Sequence, residues 1–260
     1  MYKGFNLILS KEEIPVFDDL VKEGIQSYRS KKKEISDEIK SFRNPDGTID
    51  ASKMQGGWFP RTPASIFLSH SHVDEKLAIA FATWVKRRFN LDVFIDSCLW
   101  GNSATLLKLL DDAYCKIPNS NSYNYQLRNL TTSHVHMMLQ TALADMIYNT
   151  ECVIFLNTPN SISPEDVISK TLSPWIYSEL TTTAIVHNKT KEEYRKRYIA
   201  ESRHFSSGGM NIPKFKYNAP VEHLTKLGVT DLRNWAKIMR ISIKAGKPMH
   251  ALDALYCATK

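Results

Sequence analysis

Glu179 follows Trp175 by four residues in Ser173-Pro-Trp-Ile-Tyr-Ser-Glu-Leu180, so a carboxylate and an indole fall one helical turn apart on neighbouring faces. A carboxylate held there can stabilise a developing positive charge, and the ring can wall or stack on a planar group. Taken alone, the pair reads sooner as a solvated helix glutamate and a core tryptophan, which is what burial statistics favour. A second polar cluster, Ser69-His70-Ser71-His72, closes the apolar run Ile66-Phe67-Leu68. Ser69, His70 and Ser71 offer hydrogen bonds to phosphate or to sugar hydroxyls. A third, Asp96 to Gly101 with Trp100, closes Val93-Phe94-Ile95. Asp96 there serves either a ligand or the backbone N–H groups of its own turn.

Other chemistries find less support. His70 and His72 could both face a metal, but no further His or Cys lies near them in sequence, and no metal site is expected. His134 and His136 fall on opposite sides of a helix. Ser69, His70 and Asp74 lack the glycine-flanked nucleophile elbow of a serine hydrolase. There is no phosphate-binding Walker loop and no GxGxxG, so a nucleotide would not be held as a Rossmann dehydrogenase holds it. The four cysteines stand apart without a CxxC pair, which suits reduced thiols in the cytoplasm better than a disulfide frame.

These clusters need elements to position them. Leu77, Phe81, Trp84, Val85 and Phe89 recur at helical spacing between the two short apolar runs, so residues 64–96 read as a strand–helix–strand unit. Such units build parallel sheets whose ligands sit at the carboxyl ends of the strands. Cys152-Val-Ile-Phe-Leu156 is a further buried strand, and Ser173-Pro174 has the form of a helix start. The fold class is therefore α/β, a flavodoxin-like parallel sheet flanked by helices. Residues 1–60 read as an N-terminal helical extension, with a stripe from Phe17 through Tyr28 to Phe42 that either packs on the main domain or self-associates. Residues 61–260 form the main domain, with insertions near 101–132 and 188–211. Ser133 is expected to open a helix, and Pro118 to Tyr125 to be an exposed, turn-rich insertion.

Ile66-Phe-Leu-Ser-His-Ser-His-Val-Asp74, Val93-Phe-Ile-Asp96 and Ser173-Pro-Trp-Ile-Tyr-Ser-Glu-Leu180 resemble, in order, the three signature blocks of Toll/interleukin-1 receptor (TIR) domains of the bacterial kind. The resemblance covers residues 64–187 and implies the TIR fold. It implies Glu179 as the catalytic residue of an NAD-cleaving enzyme, with Trp175, Ser69, His70, Ser71, Asp96 and Trp100 as substrate contacts. The chain departs from a compact family member in its length between Trp100 and Ser133 and around residues 188–211, which bears on substrate and product.

The implied chemistry is consistent with one carboxylate. The nicotinamide of NAD is already a cationic pyridinium and leaves without protonation, so the second, acidic carboxyl of a glycosidase pair is unnecessary. NAD would be substrate, and no cofactor is expected. By the same resemblance, the product is an ADP-ribose-derived signal, linear, cyclic or conjugated, for a separate effector in antiphage defence of the Thoeris type. Control would come from self-association or from a ligand at the rim formed by residues 97–132. The alternative is a TIR adaptor that only docks to other TIR domains and needs neither Trp175 nor Glu179. A net charge of +7 permits an anionic ligand, while the interleaving of acidic with basic residues argues against nucleic acid. The apolar runs are too short to cross a bilayer, and the first ten residues lack a secretory signal, so a cytoplasmic location is expected.

Overall fold

β4 (Cys152–Asn157) is apolar along nearly its whole length and buried at its first five positions, as a strand covered on both faces must be. In the computed structural model, which describes residues 2–9, 20–31, 39–162, 170–171, 173–186 and 217–259, this strand lies at the centre of a five-stranded parallel sheet. On one side it pairs with β2 (Ile66–Ser69), which pairs with β3 (Val93–Phe94). On the other it pairs with β1 (Lys3–Ile8), which pairs with β7 (Thr225–Leu227). The order is β3-β2-β4-β1-β7. A separate antiparallel ribbon joins β5 (Lys170–Thr171) to β6 (Tyr217–Asn218).

β1 corrects the reading of residues 1–60 as a helical extension. Its Phe5 and Leu7 are fully buried, and it occupies the sheet position between β4 and β7. The run is too short to show periodicity, and its partner strand begins at Cys152, so no local signal marks it. The rest of the segment is helical in part. α1 (Val21–Lys31) and α2 (Ala51–Trp58) precede β2, and α2 runs through Gly56 and Gly57. Of the N-terminal stripe, Gly24, Tyr28 and Phe42 are buried within the chain, and Tyr28 donates from its hydroxyl to the Val93 carbonyl at 2.7 Å. Phe17 and Ile35 lie outside the described residues.

α3 (Glu75–Phe89) connects β2 to β3 and packs against α1. Contact is close because Gly24 has no side chain: a Cβ there would meet Thr83 Oγ1 at 2.3 Å and Ile79 Cγ2 at 2.4 Å. The return from β3 to β4 crosses the sheet in the opposite direction, and a right-handed crossover then puts its helices on the other face. After α4 (Asp96–Leu99), which touches α1 at the sheet edge, these are α5 (Ser103–Leu110), a π-helical turn (Asp111–Cys115) and α6 (Tyr125–Asn149).

α6 begins well before Ser133. Asn124 caps it, accepting from the Leu127 N–H at 3.1 Å, and the preceding turn is closed by a bridge between Lys116 and Tyr123. Buried Asp111 fastens that region, accepting from Arg128 Nε at 2.8 Å and from the Thr131 hydroxyl at 2.7 Å. The region expected as an insertion near 101–132 is thus mostly helix.

α7 (Pro174–Val186) packs on α6 and starts as its sequence foretells, with the Ser173 hydroxyl accepting from the Ile176 N–H at 3.3 Å. α8 (Val229–Lys244) and α9 (Ala251–Ala258) pack together, and Trp235 of α8 stacks on Phe89 of α3 with ring centroids 3.7 Å apart. The expected insertion 188–211 lies outside the described residues. No described helix is long and apolar enough to cross a membrane.

Candidate functional site

From β2 the chain runs one way to β3 and then back past β2 to β4, so the carboxyl ends of β2 and β4 flank a topological switch point. The loops there are tied to each other. Asp74, buried at the end of the short turn His72–Asp74, accepts from the Thr158 hydroxyl at 2.5 Å and from Asn160 Nδ2 at 2.8 Å. Asp74 was legible as part of a signature block but not as the clasp between two loops.

A cavity of about 270 Å³ opens at this edge. Its wall includes Asp96 and Trp100 from the chain after β3 and Trp175 from the first turn of α7. His72, Ser97 and Gly101, members of the same two polar clusters, also line it, with Asn102 and Ser103 of the rim; Glu75, and Leu139 and Leu143 of α6, had no place in the sequence-based site. For α6 the missed signal is its apolar stripe, which reads as ordinary core spacing.

Trp100 is 3% exposed and fixed: its indole N–H donates to the Pro60 carbonyl at 2.9 Å, and its ring meets Phe94 edge-on at 5.0 Å. Trp175 is half-buried, with the His136 ring standing perpendicular to it at 5.4 Å. Ser178 hydrogen-bonds Gln140 and pins α7 to α6 on the same side.

The other expected residues sit behind this wall. Ser69 and His70 are buried at the end of β2, and Glu179 is 4% exposed. Glu179 is therefore not a solvated helix glutamate. Burial pushes its carboxyl well above the ordinary range, the nearby charge of Asp96 pushes it further, and the Ser69 hydroxyl opposes both weakly. His70 Nδ1 is 4.0 Å from Asp96 Oδ1, and its Nε2 is 3.4 Å from the Ser97 hydroxyl. Ser69 Oγ, His70 Nδ1 and Glu179 Oε2 are all buried without a well-formed hydrogen bond. Unsatisfied polar atoms gathered in one place cost stability and mark a site that a ligand or solvent would complete. Ser71 stands apart, a half-buried N-cap residue whose hydroxyl caps nothing.

The arrangement combines an enclosed carboxyl of raised pKa, the carboxylates of Asp96 and Glu75 on the cavity wall, two indoles and several hydrogen-bonding groups. It suits a planar, cationic or cation-forming ligand. Among the described residues no group of three or more His, Cys, Asp or Glu side chains could hold a metal ion. Comparison with protein-family models, with curated proteins and with solved structures finds no match to this chain.

Proposed function

We propose that the chain is an NAD nucleosidase of the TIR type, with Glu179 as its catalytic residue. The observation that supports this most is the enclosed Glu179 carboxyl, with an unpartnered oxygen, coupled electrostatically to Asp96 on the cavity wall. A carboxyl in such surroundings resists ionisation until positive charge arrives beside it. The nicotinamide ring of NAD carries that charge, and Trp175 and Trp100 offer aromatic walls to hold it. As the ribose C1′–N bond breaks, its electron pair passes to the pyridine nitrogen and neutral nicotinamide leaves. The positive charge moves to the ribose, where an ionised Glu179 stabilises it. Water or a hydroxyl of the substrate then bonds to C1′ and gives its proton to a carboxylate or to solvent. The resemblance of the signature blocks extends the reading to a defence signal passed to a separate effector, with control by self-association or at the rim.

The adaptor reading has one observation in its favour, because Glu179 is not itself part of the cavity lining. Incubating the purified chain with NAD and resolving products by chromatography and mass separates the two. Nicotinamide release that is lost in Glu179→Gln supports the enzyme; no release with any trigger, alongside association with another TIR domain, supports the adaptor.

A further inference from the structure

We propose that the groove between α3 and α8 binds the backbone of a single-stranded nucleic acid. The groove is an open depression of about 470 Å³ lined by five cations, Arg87 and Arg88 of α3 and Arg233, Lys237 and Arg240 of α8, together with Trp84. α3 starts at the carboxyl edge of the sheet and ends at the amino edge, so its last turn places the groove away from the candidate NAD cavity. All five cations are exposed. Arg87 is paired with Glu23 of α1, whereas the other four form no ion pair and no carboxylate lines the groove, among the described residues.

Helix stability does not account for this charge. Arg87 and Arg88 in the last turn of α3 do complement its dipole. In α8 the cations begin in the second turn, towards the positive end, and Arg233–Lys237 and Lys237–Arg240 are like-charged neighbours at i,i+4 and i,i+3, which repel. An anion in the groove turns that repulsion into attraction. From Arg233 to Arg240 the helix rises about 10 Å, enough to meet successive phosphates rather than one. A concave basic track beside an indole is how sequence-tolerant single-strand sites are built; here the half-buried Trp84, packed against Phe81, Phe89 and Trp235, forms the floor between the two rows of cations. Reading a duplex instead calls for an element that protrudes into its groove.

The test is fluorescence anisotropy of a short labelled oligothymidylate with the full chain at low salt, with duplex of equal length and inorganic tripolyphosphate as competitors. The expected result is saturable binding with a log–log salt slope of about −3, as four or five phosphate contacts on a single strand require. Arg233→Glu with Arg240→Glu should weaken binding by about tenfold or more and flatten that slope, with a melting temperature no lower than the parent's showing that the fold is intact. Absence of binding at low salt, affinity unaffected by the charge reversal, duplex bound as tightly as single strand, or binding of tripolyphosphate alone would each overturn the proposal.

Discussion

Asp96 lines the cavity while Glu179 lies enclosed behind it, and the charge of the first opposes ionisation of the second. The proton so held on Glu179 is one that a cationic ligand would release. The consequences can be measured without knowing the natural trigger.

Replacing Glu179 with Gln keeps size and hydrogen bonding and removes the charge. NAD cleavage should fall by on the order of a hundredfold or more. Full activity in this variant, measured by nicotinamide release, would sink the catalytic assignment.

The same substitution should alter stability in a pH-dependent way. Because the folded-state pKa of Glu179 is raised, the folded chain binds this proton more tightly than the unfolded chain. Raising pH through the window from the ordinary glutamate value up to the folded value therefore destabilises the native protein, and the loss levels off above it. Glu179→Gln removes that loss, so its melting temperature should gain on the parent as pH rises through the window. Parallel melting curves at every pH would mean that Glu179 is solvated.

Asp96→Asn removes the opposing charge and leaves the burial. The Glu179 pKa should then fall towards its ordinary range without reaching it. If the ionised carboxyl acts, the rising limb of kcat/KM against pH should move to lower pH in this variant, whatever happens to the maximum. An unmoved limb would detach Glu179 from the observed titration.

Trp175 is half-buried and packs against His136, so its ring serves the wall more than the core. Trp175→Ala should raise KM for NAD and lower turnover, whereas Trp175→Phe should keep part of both through the remaining aromatic face. Unfolding of both variants in circular dichroism would return this residue to the core.

Gly24→Ala tests the seam between α1 and α3. Alanine favours a helix over glycine by about 1 kcal/mol, but the added Cβ collides with Thr83 and Ile79, and overpacking of this kind costs about 1–3 kcal/mol. The melting temperature should fall, with elution as the parent chain on size exclusion. A higher melting temperature would show that α1 does not sit this close.

Local signals determine part of this fold. The strand–helix–strand unit, the buried run of β4 and the Ser173 cap on α7 each rest on periodicity or capping within a few residues, and such signals survive in the bare chain. Those stretches also carry the residues that line the candidate cavity from after β3 and from α7, Asp96, Trp100 and Trp175. The tertiary structure decided the rest, because it depends on partners far apart in sequence. β1 is a strand only because β4 and β7 bracket it. α6 starts at Tyr125 because the Asn124 cap and the Asp111 clasp outweigh a polar, turn-rich composition. The spacing of Trp175 and Glu179 was visible from the outset, yet whether Glu179 faced water or the interior turned on the rotation of α7 against α6 and on the nearness of Asp96. Likewise, basic residues that alternate with acidic ones along the chain gather into one groove only where α3 meets α8. Helical periodicity is a property of neighbours in sequence; burial, pKa and surface charge are properties of neighbours in space.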